Sequence, residues 1–479
     1  MLETVHVSPF RGQWYPDGAG ELRELIDARF RVSARRVPPP LPRAPLACIV
    51  PHAGIVYSGA VAAAGYRQVR EAAPKRVIIL GFSHHGGARG IFLPGDVAAY
   101  ATPFGEIAVD RDAVRSLASA PGFSPAAESD LCDHSVEIQL PFVQYAAPKA
   151  AVVPVYVNRP AAEDREAAAG ALAETMEPRD MLLASSDFTH YGRAFGYLPF
   201  PVDEETPHRL SELDGGATEA AGSLDPGYFL AALERTGATV CGRDPIALLL
   251  GVLGKLEKGD EIFQERLDYQ TSGEITGDYS HSVSYAALAY AHHSSQLLDA
   301  GDQELLLESA RDTLRNYQAT GERRPIWPRA DSPGLRARRS VFVSIHTAGG
   351  ALRGCVGRCG DEEPLRNSVP AMTLAAAHDD TRFAPVTAAE TGLHLEISVL
   401  SPFRRVVARE DIAAGCHGAL LKCGYYRGLL LPQVASERDW DTPRFLAALA
   451  DKAGAPRDVY ERPEAALYRF RAQRFGSSI

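Results

Sequence analysis

The chain has 479 residues, 46 % of them hydrophobic and 23 % charged, with 42 glycines and 34 prolines. That is the composition of a globular protein with ample core, and it excludes disorder; the length suits about three ordinary domains or two larger ones. The net charge of −10 is uneven: 25 Lys/Arg stand against 37 Asp/Glu through His293, and 25 against 23 beyond it. The acidic first part argues against a nucleic-acid partner, and the mildly basic second part leaves one open without supporting it.

No window approaches the ~18 consecutive apolar residues a membrane span needs. The start, MLETVHVSPFRGQWYPDG, lacks the basic flank and apolar stretch of a signal peptide. Seven cysteines are sparse and odd in number, which reads as reduced thiols in a cytoplasmic protein.

In chain order, a stiff proline-rich lead-in (35–46) precedes an apolar strand, LACIV (46–50), which ends in PHAG and an alanine-rich helix. RVIILG (76–81) is a second strand, ending in FSHHGG; AAVVPVYV (150–157) is a third; DMLLASS (180–186) is a fourth, ending in DFTHYG. The β-prone ATV then leads through CGRDP into a helix, and SVSYAALAYA (282–291) closes the series. Continuous apolar strands alternating with helices predict an α/β fold, with a parallel or mixed sheet covered on both faces.

A polar stretch at 292–303 marks a linker. The helix QELLLESARDTLRNYQ and the shorter strands RRSVFVSIHT, ALRGCVGR, LHLEISVLSP and GALLKCGYYRGLLLP follow, with a late helix RFLAALADKAG. They predict a smaller α+β domain. The expected domains are residues 1–293 and 299–479.

Three strand ends in the first domain carry histidine: His52, the pair His84 and His85, and His190, with Asp187 three residues before the last. Cys241 follows ATV. In a parallel sheet these ends share one edge, where open α/β sheets hold their ligands. Imidazole, carboxylate and thiol together suit a transition-metal site with free coordination positions. His84 and His85 point in opposite directions on an extended chain, so at most one of them binds directly. In DHSVEIQLP, His134 and Glu137 at a spacing of three share a helix face and could orient a ligand or relay a proton. Singly, each residue has an ordinary explanation: a bonded loop histidine, a small buried cysteine, an N-capping aspartate, a solvated helix face.

The segments RGQWYP, PHAGIVYSG, LGFSHHG, DHSVEIQLP, SSDFTHYG, CGRDPI and SVSYAA occur in the order found in the Memo family, and the chain through residue 293 resembles it. Memo proteins (AmmeMemoRadiSam system protein B) are similar in fold to LigB-type class III extradiol dioxygenases. The resemblance implies that His52, His84 and Cys241 are metal ligands. By the same resemblance Asp187 and His190 are the polar pair beside the metal, and Trp14 and Tyr57 line the cleft; from the residues themselves, His134 is a further catalytic candidate and His85 a substrate-binding one. The dioxygenases hold iron with two histidines and a carboxylate; here a thiolate replaces the carboxylate. Sulfur is softer and itself oxidisable; it favours copper(I), zinc or iron, of which iron or copper is the expected metal, and ring cleavage is in doubt.

The second half resembles AmmeMemoRadiSam system protein A, related to the AMME syndrome protein, through LRGCVGR (352–358), DDTRFAPVTAAE, LEISVLSP and YYRGLLLPQVASERDWDTPRFLAALADKAGAP. A radical-SAM protein is the implied partner. The chain is not that enzyme: Cys355 and Cys359 open the C-x₃-C-x₂-C pattern, but residue 362 is Glu362. Zinc held by Cys355, Cys359, Cys416 and Cys423 fits no common spacing. Arg353 beside Cys355 suggests a thiol biased toward thiolate, and Arg336, Arg338 and Arg339 suggest a basic patch.

The expected function is metal-dependent, dioxygenase-like redox chemistry on a small molecule or modified macromolecule. The second domain binds or modifies the same substrate. A peptide-binding module with a structural metal and a metal-dependent hydrolase are the alternatives.

Overall fold

The structure, a computed structural model, describes residues 4–38, 41–85, 88–360 and 362–478. Residues 1–3 of the start, Pro39 and Pro40 of the lead-in, and Gly86 and Gly87 of the SHHGG segment fall outside the described residues. The chain divides into two compact units, Met1–His292 and His293–Ile479.

In the first unit the parallel strands Ala47–Val50, Asp180–Ser185, Arg76–Gly81 and Ala151–Asn158 lie side by side in that order. Their side chains are almost wholly buried; Val77, Ile78, Ile79 and Leu80 have no exposed surface. That is why these strands read as unbroken apolar runs: helices cover both faces, and no position alternates to water. His281–His292 extends the sheet antiparallel to Ala47–Val50 and pairs with Ile262–Thr271 and His190–Gly192. Gly90–Pro94 and Ser124–Ala126 finish the other side. Helices Ile55–Ala72, Ala162–Thr175 and Arg243–Leu256 connect and cover the strands. A separate sheet joins Thr4–Val7, Val97–Thr102 and Gly105–Ala108. The residues 238–240 (ATV) form no strand; Cys241 sits in the turn that starts the helix Arg243–Leu256.

The second unit has two antiparallel four-stranded sheets. One runs Leu352–Arg358, Val341–His346, His394–Leu400, Ala472–Ser478, and the other Arg404–Arg405, Ala466–Phe470, Gly418–Cys423, Tyr426–Leu430. The helices Ala300–Thr320 and Thr442–Ala453 begin at the side-chain caps Asp299 and Asp441. No helix among the described residues is long and apolar enough to cross a membrane.

Candidate metal centre

The carboxyl ends of the parallel strands converge. His52 lies two residues past Val50, His84 three past Gly81, and Asp187 two past Ser185. One ligand atom from each of His52, His84 and Cys241 falls within 4.8 Å of the others. The His52 Nε2 to Cys241 Sγ distance is 3.2 Å.

Close backbone approach makes this convergence possible. A Cβ on Gly81 would stand 2.5 Å from Val136 and 2.8 Å from the Ser135 hydroxyl, so the turn after Asp133 packs directly on the strand end. A Cβ on Gly242 would stand 2.5 Å from Ser186 Cβ, which lets the Cys241 turn press against the Asp180–Ser185 strand.

Both histidines are anchored through Nδ1. The His84 backbone N–H donates to Asp133 Oδ2 at 2.7 Å, and His84 Nδ1 lies 2.9 Å from Asp133 Oδ1. A carboxylate there fixes the tautomer with hydrogen on Nδ1 and leaves Nε2 as a bare donor atom. His52 Nδ1 lies 3.1 Å from Ser185 Oγ, which also accepts from Gln139 Nε2 at 2.8 Å, while the Tyr66 hydroxyl donates to Gln139 Oε1 at 2.8 Å. Asp187 Oδ1 accepts the backbone N–H groups of His52 and Ala53 at 2.9 and 3.2 Å and so clamps the His52 turn from the neighbouring strand.

The electrostatics follow from burial. Desolvation, with the neighbouring His84 second, pulls the His52 imidazole down to about 3, so it is neutral and able to donate a lone pair. Burial pushes the Cys241 thiol and the Asp187 carboxyl up; Asp187 adds to the Cys241 shift, and His190 opposes the Asp187 shift. Burial also raises Asp133, but the hydrogen bond from His84 and the charges beside it hold its carboxyl down at about 2.

His190 Nδ1 lies 3.0 Å from the Phe188 carbonyl and 3.1 Å from the Thr239 carbonyl, so it carries the hydrogen. Asp187, His190 and Cys241 also bring ligand atoms within 4.8 Å of one another. His134 stacks between His84, at a centroid distance of 4.2 Å, and Trp14, at 3.9 Å. Glu137, expected on the same helix face, bonds His6 and Cys132 instead. His85 is exposed and belongs to no ligand cluster among the described residues. Tyr57 is half exposed on the first turn of Ile55–Ala72.

A cleft of about 270 Å³ opens on His84 and Cys241, and Arg89, Arg159 and Arg243 in its walls outnumber the one carboxylate, Asp244. Trp14 and Tyr57 are not among the described residues lining it.

In the second unit Arg353 is committed to Glu390, with contacts of 2.6 and 3.0 Å. Arg382 is the arginine that donates to the Cys355 carbonyl, at 3.2 Å, and Asp380 accepts the Cys355 N–H at 2.8 Å. Cys355, Cys359, Cys416 and Cys423 form no ligand cluster among the described residues. Arg336 pairs with Asp331, and Arg339 is buried.

Fold and site together define an α/β protein with a His–His–Cys cluster at the carboxyl edge of a parallel sheet. The Memo-like protein family matches residues 8–289 and the AMMECR1 family residues 307–475. The chain therefore belongs to the Memo family and carries an AMMECR1 domain in the same polypeptide. It is 31 % identical over 295 residues to a MEMO1 family protein of Thermococcus onnurineus, covering 58 % of this chain and 97 % of that one. It is 31 % identical over 298 residues to the protein memo-1 homolog of Caenorhabditis elegans, covering 60 % and 82 %. Among solved structures, an uncharacterized protein from Pyrococcus horikoshii has 34 % identity, covers 36 % of this chain and 91 % of that one, and has a TM-score of 0.35.

Proposed function

We propose that the Memo-like domain is a metal-dependent oxidoreductase whose ion is held by His52, His84 and Cys241. The observation that carries this reading is the donor set itself. Two imidazoles are tied at Nδ1 with Nε2 turned inward, and a thiol joins them within 4.8 Å. Two nitrogens and a soft sulfur suit iron, copper or zinc, and redox chemistry requires one of the first two. Such an ion, three-coordinate to protein, supplies open positions for redox chemistry.

The surrounding residues divide the remaining work. Asp133 and Ser185 orient the two imidazoles, and Asp187 holds the His52 turn. His190, with its hydrogen on Nδ1, presents Nε2 to take a proton from substrate. Arg89, Arg159 and Arg243 favour a substrate with a carboxylate or phosphate group at the mouth of the cleft. All seven cysteines are free thiols, which supports a reducing, cytoplasmic setting. The shared polypeptide supports a common substrate for the two domains, with a radical-SAM protein as functional partner.

The test is anaerobic purification, metal analysis and oxygen uptake with a reductant. His52→Ala, His84→Ala and Cys241→Ser should each lose the ion while keeping the fold, and pairs of them should cost less than the sum. His85→Ala should keep it. His190→Ala should retain metal and lose oxygen uptake. Full metal retention in Cys241→Ser defeats the thiolate assignment, and water-dependent bond cleavage without oxygen uptake replaces redox chemistry with hydrolysis.

A further inference from the structure

A second group of ligand-type side chains is built into the same domain. The strand Thr4–Val7 carries His6 alongside Val97–Thr102, where the imidazole meets Tyr100 edge-on at 5.4 Å. Glu128 opens the short helix Glu128–Leu131, Cys132 follows that helix, and Glu137 closes the next turn. Glu137 Oε1 lies 3.0 Å from His6 Nε2 and 2.7 Å from Cys132 Sγ, and His6 Nε2 lies 3.6 Å from Cys132 Sγ. With one oxygen of Glu128, these four ligand atoms lie within 4.8 Å of one another. Ligands about 2.0–2.3 Å from one ion stand roughly 3.5 Å apart in a tetrahedron, so an ion would replace the His6–Glu137 and Cys132–Glu137 hydrogen bonds and open those contacts by about 0.5–0.8 Å.

An independent observation points the same way. Glu128 and Glu137 are 2 % and 0 % exposed, and the second oxygen of Glu137, Oε2, has no hydrogen-bond partner among the described residues. A buried carboxylate oxygen without a donor is costly unless a cation answers it.

We propose that His6, Glu128, Cys132 and Glu137 form a second cation site, separate from His52, His84 and Cys241, for a four-coordinate divalent ion of the zinc class. One imidazole, one thiolate and two carboxylates close the shell with protein ligands, which makes the site a brace and not a centre for chemistry. It ties the N-terminal strand to the segment 128–137, and Cys132 immediately precedes Asp133, the residue that orients His84.

The experiment uses the full chain, stripped with chelator and titrated with Co²⁺ and Zn²⁺ under argon. Cys241→Ser, which removes the thiolate of the first centre, should still bind one Co²⁺ with a thiolate-to-cobalt charge-transfer band, and Zn²⁺ should raise its Tm. Adding Cys132→Ser should abolish the band and weaken binding by about two orders of magnitude or more. His6→Ala in the Cys241→Ser background should weaken binding without removing a thiol, which guards against Cys132→Ser failing to fold. No cobalt–thiolate band in Cys241→Ser, or zinc stabilisation that survives both Cys132→Ser and His6→Ala, overturns the proposal. A wild-type chain with one ion that is lost with Cys132 and kept with Cys241→Ser supports this site while removing the first.

Discussion

Asp133→Asn is a demanding perturbation because it exchanges one heavy atom, a carboxylate oxygen for an amide nitrogen, and changes almost no volume. The Asp133 side chain is fully buried; Oδ1 takes His84 Nδ1 and the Ser135 N–H at 2.9 and 2.8 Å, and Oδ2 takes the His84 N–H at 2.7 Å. An asparagine has two ways to sit there. With its oxygen in the Oδ1 position, its NH₂ group faces the His84 N–H, donor against donor. With the amide flipped, the NH₂ group faces His84 Nδ1, which must then accept, so the hydrogen moves to Nε2 and the lone pair meant for the metal is lost. Either way at least one charge-assisted hydrogen bond goes and a donor is left opposed, costing ~2–3 kcal/mol. For a domain of this size that is a Tm lower by roughly 5 °C. Metal affinity should fall by about 10- to 100-fold, the usual cost of removing a residue that orients a histidine ligand. Chelator competition under anaerobic conditions reads the affinity, and calorimetry reads the Tm. In the His84→Ala background the same change should cost no further affinity. If Asp133→Asn binds metal as tightly as the wild type, then Asp133 does not set the His84 tautomer and His84 is not held as a ligand.

Gly242→Ala should cost ~1–3 kcal/mol and lower metal content, since its Cβ would press 2.5 Å from Ser186 Cβ and swing Cys241 away from His52; unchanged content would show that the turn yields elsewhere. In the second domain, Arg382 hydrogen bonds hold the Asp380 carboxyl down at about 2, below its ordinary 3.8. Its stabilisation is therefore complete above about pH 4 and vanishes as pH falls toward 2; because Arg382 is more than half exposed, screening reduces it to ~1 kcal/mol. Asp380→Asn should lower the second domain's stability by that amount at pH 7 and by nothing near pH 2, and a deficit that persists in acid melts would contradict the assignment. Proteolytic or engineered cleavage near Ser295 should give two soluble fragments that each melt cooperatively, as the two compact units imply; an insoluble half would mean that the units depend on each other.

The parts of the fold legible in sequence were those whose burial is complete. Val77–Leu80 and Met181–Ala184 read as strands because both faces are covered, and glycine or serine beside a histidine marked where they stop. Cys241 was approached through the wrong element: ATV has the β-propensity of a strand, but the chain there is the turn before a helix, where Gly242, the Ser186 side chain and the Ser185 carbonyl decide the geometry. Asp133 escaped notice because an aspartate before HSVE reads as a helix cap. It does cap Ser135, and its second task depends on Gly81 letting that turn lie on a strand remote in sequence. The pairing of Glu137 with His6 was hidden for the same reason. Its partner stands 131 residues earlier in the chain, and no local spacing points to it. Arg353 illustrates the opposite error, since adjacency to Cys355 said nothing of Glu390, which holds it.

The His52 turn is clamped by Asp187 and faces a thiol 189 residues further along the chain. No early portion of the polypeptide contains the pocket. During synthesis the strand Ala47–Val50 emerges long before the Asp180–Ser185 strand beside it, and its other neighbour, His281–His292, is the last strand of the domain to be made. Contacts this distant in sequence form late. In a nascent chain His52, His84 and Cys241 are therefore scattered, and they converge only after the domain has closed. A chain that stops anywhere before residue 241 lacks Cys241 and cannot bring the three side chains together.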